Sequence, residues 1–324
     1  MKKSIFHFKS SELGFGSKNF EGQSRFLNKD GKVNIKRKGK NILENFDIFH
    51  FMINVKWKYF FLLVLISYLI INCIFASIYY YLGAENFGNL TASNPIEKFQ
   101  ELFFFSAQTL TTVGYGYVYP HSASVSTVAA IESMLGLLGF ALATGILYGR
   151  FSKPKASVLY SENMLLAPYK EHTALMFRIV NPKQNELVEI EAQLIVSMLN
   201  LETNSRVFLT LNLERSKISF LSLNWTIVHP IDDSSPFFEM SKEDIIKSNP
   251  EFLVMIKAMN DTYSQVVYSR SSYKAEEMVF GAKFKPMLPI PDKKGMPVLD
   301  ITTINDFDLV EIPALKQKAI IEEN

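Results

Sequence analysis

The sequence has little of what disulfide frameworks, metal sites and nucleic-acid binders need. It contains one cysteine, Cys73, which excludes an internal disulfide and a cysteine-based zinc site. Five histidines are scattered over 324 residues, so a histidine metal cluster is not favoured. The 34 basic side chains nearly balance 32 acidic ones, and a net charge of +2 provides no overall basic field for nucleic acid. No nucleophile–base arrangement or metal-ligand spacing appears, so the sequence predicts neither an enzyme nor a resident cofactor.

Charge is unevenly distributed, although it nearly cancels overall. Residues 1–59 hold 13 Lys and Arg against 5 Asp and Glu, a net of +8. Residues 83–123 hold one Lys and three Glu, a net of −2, and residues 151–324 hold 19 basic and 23 acidic side chains, a net of −4. Such asymmetry around apolar blocks is typical of a membrane protein.

Two apolar segments are long enough to cross a bilayer, which takes roughly 20 residues. Residues 59–82 carry no charge, and Trp57 at one end with the tyrosines 79–81 at the other fits aromatic belts at both interfaces. Residues 125–147 carry only one charge, Glu132. A buried core helix is the alternative for the first segment.

Basic residues flank the outer ends of both segments, two before the first and three after the second. They are Lys56, Lys58, Arg150, Lys153 and Lys155. By the positive-inside rule both termini are cytoplasmic, which predicts a multi-pass protein of the plasma (inner) membrane. The same residues, with Trp57 at the interface, are predicted to bind anionic membrane lipids; the alternative is that they only set the topology.

The segment between the spans contains the motif that carries the chemistry. Residues 95–110 predict a re-entrant helix that begins at Pro95 and is too short to cross. TTVGYG follows, and its six residues form the predicted potassium filter: Thr111, Thr112, Val113, Gly114, Tyr115 and Gly116. The ion must exchange its water shell for backbone carbonyls that all point into the pore, which takes alternating backbone conformations. Glycines at 114 and 116 permit them, Thr112 adds a hydroxyl oxygen at the inner mouth, and Val113 and Tyr115 brace the loop from behind. Because a filter needs four such loops and the chain has one, we expect a homotetramer.

With these motifs the sequence resembles the inward-rectifier potassium channel family, especially its prokaryotic members, over roughly residues 25–312. The resemblance rests on RFLNKDGKVNI (25–35), NVKWKYF (54–60), TTVGYG (111–116), SKPK (152–155), TIVHPIDDSSP (226–236) and SRSSY (269–273). It implies a membrane α + β fold, with two transmembrane helices, a re-entrant pore loop and a cytoplasmic immunoglobulin-like β-sandwich. The expected parts are an N-terminal cytoplasmic segment (1–45), an interfacial slide helix (46–58), a two-span pore domain (59–150), the β-sandwich (151–313) and a tail (314–324).

The predicted slide helix and sandwich each have a periodic pattern of their own. Phe46, Phe49, Ile53 and Trp57 form an apolar stripe typical of a helix lying on the inner leaflet; an ordinary linker helix is the alternative. Residues 187–194 alternate, with the even-numbered residues apolar, which predicts a half-buried strand. Similar runs are 173–180, 206–213, 218–228, 252–258 and 264–268, and SKEDIIKSN (241–249) predicts a short helix capped by Ser241.

The resemblance also implies roles for residues along the ion path. Glu189 would line the cytoplasmic pore as a ring of four carboxylates; a plain solvated face is the alternative. Phe140 and Lys257 stand where strongly rectifying relatives have acidic residues, so magnesium or polyamine block and rectification are expected to be weak. Tyr148 would narrow the inner pore, or else be an interfacial belt tyrosine.

Further positions are expected to support the filter and the cytoplasmic pore. The family's pore-helix glutamate aligns with Gln108, and its basic partner with Val118. Glu132 is expected to be neutral, or hydrogen-bonded behind the filter; a position facing lipid is the alternative. Asp261 and Arg270 match the spacing of an acid–base pair that braces the loop at the apex of the cytoplasmic pore; a plain surface pair is the alternative.

The sequence thus predicts a potassium-selective channel of inward-rectifier type, gated through the slide helix and cytoplasmic domain. Potassium is its permeant ion and needs no cofactor. Two alternatives stay open: a poorly selective cation channel, and a membrane-anchored ligand-binding sensor with a vestigial pore.

Overall fold

A computed structural model describes residues 25–35, 39, 47–152, 156–183, 186–201, 205–292 and 294–312. The chain divides into two compact units. One comprises residues 38–153, and the other comprises residues 1–37 together with 154–324.

Helices build the first unit. Their bounds are α1 (Ile48–Asn54), α2 (Trp57–Leu82), α3 (Pro95–Leu110) and α4 (Ala123–Phe151); a fifth, α5 (Lys242–Lys247), belongs to the second unit. The helices α2 and α4, of 26 and 29 residues, are long and apolar enough to cross a membrane. Side chains cap the starts of α3 and α4: Asn94 accepts from the Glu97 N–H of α3, and Ser122 accepts from the Val125 N–H of α4.

The predicted slide helix is shorter than expected. Asp47 accepts a hydrogen bond from the His50 N–H at its start, and α1 ends at Asn54 with Val55 and Lys56 extended. Trp57 is therefore the first residue of α2 and not the last of the apolar stripe, which corrects that part of the prediction. The chain must turn here from one helix axis to another, and an unbroken helix over 46–58 could not do so. Phe46 lies outside the described residues.

Strands build the second unit, apart from one small pair. That pair, β1 (Phe87–Gly88) with β2 (Tyr119–Pro120), joins the loops on either side of α3. The others are β3 (Leu159–Tyr160), β4 (Met164–Tyr169), β5 (His172–Val180), β6 (Leu187–Leu199), β7 (Arg206–Leu211), β8 (Lys217–Phe220), β9 (Asn224–Ile231), β10 (Glu251–Asn260), β11 (Gln265–Lys274), β12 (Met278–Phe280), β13 (Ala282–Phe284), β14 (Ile290–Pro291), β15 (Pro297–Val298) and β16 (Phe307–Leu309).

Two five-stranded sheets face each other across one apolar core. The first has the order β11-β10-β6-β7 with β8 also on β6, and the second has β12-β4-β5-β3 with β9 also on β5. Phe177 from β5, Val196 from β6 and Phe252 from β10 are buried together between them. Alternating apolar residues on both inner faces are what hold a sandwich together, so the predicted β-sandwich is confirmed. The predicted strand 218–228 is interrupted, because a bend separates β8 from β9.

A bulge in β6 changes which residues face the core. Opposite β10, Glu191 pairs with Lys257 and Val188 with Met259, so β6 holds one extra residue at Glu189, whose φ is +50°. Leu187 is buried in consequence, whereas Val188 is only half-buried. The alternation predicted for 187–194 holds from Ile190 onward and is wrong at Val188, since a bulge shifts the side-chain phase by one residue.

The start of the chain packs on the sandwich. The backbone N–H groups of Phe26 and Leu27 donate to the buried carboxylate of Glu251 at 2.8 to 3.0 Å. Ser271 and Ser272 donate to carbonyls of the same segment, and Arg25 forms an ion pair with Glu277. Residues 25–35 are therefore part of the second unit, and two of the sequence motifs, RFLNK and SRSSY, lie together.

Candidate functional site: the pore loop and its supports

The backbone of residues 111–116 alternates as a carbonyl-lined filter requires. Gly114 and Gly116 have positive φ values of +55° and +79°, and a third positive value, +58°, falls on Thr112. A β-carbon at either glycine would meet nothing within 4 Å in this chain, so the backbone angle and not crowding accounts for glycine there. The strained conformation of Thr112 is a feature that sequence reasoning missed, because threonine rarely adopts it.

The end of α3 holds the filter loop in place. The N–H groups of Val113 and Gly114 both donate to the Gln108 carbonyl, at 2.9 and 3.3 Å, and the Thr112 N–H donates to Thr109 at 3.0 Å. These carbonyls lie at the C-terminus of α3, where the helix dipole is negative and favours a cation nearby. The re-entrant helix thus positions the loop and also contributes to its electrostatics.

Four buried polar side chains from α2, α3 and α4 are hydrogen-bonded to one another and join the three helices. Glu132 of α4 accepts from the Tyr79 hydroxyl of α2 at 2.5 Å, and its other oxygen lies 2.5 Å from the Ser106 hydroxyl of α3. Ser106 also lies 3.0 Å from the Asn72 side-chain oxygen of α2. All four residues are fully buried. Glu132 therefore lies inside the pore unit, hydrogen-bonded as predicted, and the lipid-facing alternative is wrong.

The inner helix α4 also touches the end of α3 through its backbone. A β-carbon at Gly136 would lie 1.9 Å from the Leu110 carbonyl oxygen, so only glycine permits this approach. Ser133, three residues before it, donates to the Thr109 carbonyl at 3.4 Å. One face of α4 is thus fitted against the segment that carries the filter.

The structure does not pair the two positions that replace the family's acid–base brace. Gln108 is half-buried and uses its backbone carbonyl for the filter, while its side chain makes no hydrogen bond to any described residue. Val118 packs on the apolar cluster around Tyr79 and Phe105. Among the residues that the structure describes, Gln108 contacts the filter loop through its main-chain carbonyl.

Arg150, predicted to bind lipid, is engaged within the protein. Its guanidinium donates to three carbonyls at the C-terminal end of α1: Met52, Ile53 at 3.1 Å and Val55 at 2.7 Å. It also lies over the rings of Trp57 and Phe60, 4.4 and 4.7 Å from their centres. These carbonyls have no partner within α1, which is why a guanidinium is stabilised at this position. In this structure Arg150 joins α4 to α1 and α2, which corrects its assignment as a lipid ligand.

Comparison with known proteins agrees with this architecture. The transmembrane-domain model of inward rectifier potassium channels matches residues 27–154, and their C-terminal-domain model matches residues 158–324. The chain is 32% identical to inward rectifier potassium channel Kirbac3.1 of Paramagnetospirillum magnetotacticum, over 87% of this chain and 95% of that protein. It is 26% identical to G protein-activated inward rectifier potassium channel 2 of Rattus norvegicus and of Homo sapiens, over 92% of this chain and 75% of each of those proteins.

The chain belongs to the inward rectifier potassium channel family. It is a membrane protein with two apolar helices and a β-sandwich domain, and its family is one of ion channels, not enzymes.

Two further residues of the channel's inner helix are exposed in the single chain. Phe140 and Tyr148 are 73% and 74% exposed, on a helix that is hardly buried elsewhere. Their exposure agrees with a place along the pore, which stays a prediction.

The cytoplasmic residue Glu189 lies beside a cluster of balanced charge. Glu191 pairs with Lys217 at 3.3 Å and with Lys257 at 3.8 Å, because its strand runs between theirs. Glu189 is exposed and forms no ion pair with a described residue, and all four side chains line a cavity of about 460 Å³. The two carboxylates and two ammonium groups in this cluster cancel in charge. Of the two lysines, the sequence pointed only to Lys257.

The predicted pair of Asp261 and Arg270 does not form within the chain. Asp261 lies in the turn between β10 and β11, whereas Arg270 is opposite Met255 in the strand ladder. Gln265 closes the turn, so Arg270 lies five residues or about 17 Å farther along the strand. The sequence spacing of Asp261 and Arg270 would let them meet across a wide loop, but in this tight hairpin the two residues are held apart.

Of the other four basic residues predicted to bind lipid, the structure describes two, Lys56 and Lys58. Lys56 is the N-cap of α2 without a side-chain cap bond, and Lys58 lies 4.9 Å from the ring centre of Tyr59. Lys153 and Lys155 lie outside the described residues, as does the tail from 313 onward.

Proposed function

We propose that this channel conducts potassium through a filter formed by residues 111–116 of four identical chains. The observation that carries the proposal is the alternation of positive φ at Thr112, Gly114 and Gly116, held by the C-terminus of α3. Such a backbone turns successive carbonyls toward one axis, where they replace the hydration shell of the ion. One chain supplies one side of that axis, and Val113 and Tyr115 are largely exposed in it, which supports assembly of four copies.

Both termini are proposed to lie in the cytoplasm of the plasma (inner) membrane. The basic residues at the outer ends of α2 and α4 support this orientation, since the positive-inside rule places such residues on the cytoplasmic side. With this orientation the β-sandwich is proposed to be a cytoplasmic domain that gates the pore through α1.

Rectification by intracellular magnesium or polyamines is proposed to be weak. Block requires negative rings along the pore. Phe140 provides none in the inner helix, and the Lys217 and Lys257 ammonium groups neutralise the neighbourhood of Glu189.

Anionic lipid is proposed to change the open probability through Lys56, Lys58, Lys153 and Lys155. A basic residue near an anionic surface contributes about 1 kcal/mol, and four per subunit recur in each chain of a tetramer. Arg150 is left out of this set because the α1 carbonyls and two aromatic rings occupy it.

The test is flux of potassium against sodium in liposomes containing the purified channel. We expect potassium flux to exceed sodium flux strongly, with cross-linking that ends at four subunits. Equal permeation of both ions would favour the poorly selective channel, which the missing Gln108–Val118 brace makes the second candidate. Absence of any flux from intact tetramers would instead favour the sensor with a vestigial pore.

A further inference from the structure

The four buried polar groups behind the filter fix where one proton lies. Asn72 donates from its amide nitrogen to the Tyr68 carbonyl at 2.7 Å, which orients its side-chain oxygen toward Ser106. The opposite amide orientation would set two carbonyl oxygens against each other. The Asn72 oxygen is therefore an acceptor, and the Ser106 hydroxyl, at 3.0 Å, is the donor that faces it.

Ser106 has one hydroxyl proton but two neighbouring acceptors. The second is the Glu132 oxygen at 2.5 Å. If Glu132 were ionised, Ser106 would donate its single proton either to the carboxylate or to the Asn72 oxygen. The oxygen that did not receive this proton would then have no hydrogen-bond donor from Ser106. A carboxylate would also be an unpaired charge, because no described Lys, Arg or His forms an ion pair with Glu132. Both consequences are unfavourable in a fully buried site.

A protonated Glu132 satisfies every group in the cluster. Its carboxyl proton is donated to Ser106, Ser106 donates to Asn72, and Tyr79 donates to the second Glu132 oxygen. The reverse direction, in which Glu132 donates to Tyr79, leaves the buried Tyr79 hydroxyl proton without an acceptor. Only one arrangement therefore uses every donor and acceptor.

We propose that Glu132 is a neutral carboxylic acid whose proton completes a directional hydrogen-bond chain from Tyr79 through Ser106 to Asn72. The chain fastens α3 to both spanning helices four residues before its C-terminus. In this channel Glu132 acts as a positioning residue for the filter, in place of the brace that Gln108 and Val118 lack. The inference extends the proposed function, since it concerns how the same filter is held.

Infrared difference spectroscopy of the reconstituted tetramer at neutral pH tests the protonation state directly. A neutral carboxyl has a carbonyl stretching band that carboxylates lack. We expect the band in the unmodified channel, its loss in Glu132→Gln and its persistence in Glu101→Gln. The latter is a matched control, because Glu101 accepts from the backbone and hydroxyl of Thr91 at 3.1 Å on the surface. Absence of the band, or its survival in Glu132→Gln, would overturn the proposal.

Selectivity tests the positioning role. Glutamine at 132 can donate to Ser106 and accept from Tyr79, so Glu132→Gln should change the potassium-to-sodium flux ratio by less than about twofold. Glu132→Ala breaks the chain at its centre and should lower that ratio in tetramers that still assemble. If Glu132→Ala does not assemble, Ser106→Ala removes one oxygen only, and should both shift the carboxyl band and lower the ratio. An unchanged flux ratio in Glu132→Ala would contradict the positioning role, and so would an unchanged ratio in Ser106→Ala if Glu132→Ala does not assemble. A loss of selectivity in Glu132→Gln would contradict it as well.

The infrared experiment does not depend on conduction. A channel without potassium preference would end the proposed function while leaving the carboxyl band interpretable. A missing band in a selective channel would end this inference alone.

Discussion

At the scale of single residues, the filter loop has unusual backbone conformations at Thr112, Gly114 and Gly116. All three have positive φ, which an L-residue adopts at a cost of about 1–2 kcal/mol. Two glycines remove that cost, and the hydrogen bonds to the Gln108 and Thr109 carbonyls offset it at the third. The loop is therefore held by its neighbours and does not depend on local preference alone.

Gly114→Ala should abolish potassium flux or its preference over sodium, because alanine is strained at a φ of +55° and the carbonyls turn away. Tetramers should persist, since a β-carbon there meets no atom of its own chain. Paired liposome flux and cross-linking measure both effects. Gly139→Ala is the control: it too has open space, but its backbone is helical and should leave flux intact. Selective flux in Gly114→Ala would show that the filter lies elsewhere.

His229 predicts a pH dependence of the β-sandwich. Its ring is buried, donating to the Asn212 carbonyl at 2.6 Å and accepting from Ser235 at 2.8 Å, and burial lowers the pKa of His229 below its usual value. An unfolded histidine gains its proton below about pH 6.5 while the buried ring stays neutral longer, so stability falls as the pH drops through that value.

Thermal unfolding of the purified channel at about pH 7.5 and 5.5 measures this loss. His229→Gln should be less stable than the unmodified channel at the higher pH, but it should lose less on acidification. The same acid-induced loss in both proteins would contradict the assignment to His229.

At the scale of elements, helix ends and close backbone contacts organise the pore unit. The C-terminus of α3 holds the filter, the C-terminus of α1 is capped by Arg150, and Gly136 lets α4 approach Leu110. The first contact is local and uses backbone groups, whereas the other two join separate helices through a charged group at Arg150 and a missing side chain at Gly136.

Gly136→Ala should weaken selectivity and the thermal stability of the tetramer together. Its methyl group would lie 1.9 Å from the Leu110 oxygen, so α4 must move away from the end of α3. Gly145→Ala, with nothing within 4 Å in the same helix, is the matched substitution and should have a smaller effect on both measurements. Equal effects of the two changes would mean that this contact does not position the filter.

Arg150→Gln should alter the open probability in neutral as well as anionic liposomes, since it breaks hydrogen bonds to α1 and not contacts with lipid. Lys58→Gln removes the same charge from an exposed side chain, and its effect should disappear in neutral lipid. Single-channel recordings in both membranes compare them. If the Arg150→Gln effect vanishes in neutral lipid, Arg150 is a lipid ligand after all.

At the scale of the whole molecule, charge along the ion path determines block from the cytoplasm. The cluster around Glu191 is balanced, and Phe140 adds no carboxylate in the membrane. We therefore expect intracellular cations to meet little negative charge beyond the ring predicted from Glu189.

Phe140→Asp should steepen rectification by magnesium and polyamines, and Lys257→Gln should do so less, because it frees one carboxylate that is already partly solvated. Current–voltage curves with and without spermine provide the measurement. Lys247→Gln changes the same charge outside this cluster and should leave block unchanged. Strong block of the unmodified channel, undiminished by Glu189→Gln, would contradict this account.

The sequence by itself determined the two spanning helices, the helix α3, the loop 111–116 that is proposed as the filter, and the β-sandwich. These follow from local information: apolar runs, strand alternation and two glycines at set positions, which act over a few residues. The end of α1 and the bulge at Glu189 were not foreseen, since periodicity does not report a chain turn or one extra strand residue.

Only the tertiary structure decided the partners of Arg150 and of Glu132, and the separation of Asp261 from Arg270. Arg150 and Met52 lie 98 positions apart, and Tyr79 and Glu132 lie 53 apart, so their contacts depend on how three helices pack. The physical reason is that a charged or polar side chain near the membrane has several possible partners, including lipid, water and distant backbone. Which one it meets is set by burial and geometry, and neither can be deduced from the residue type.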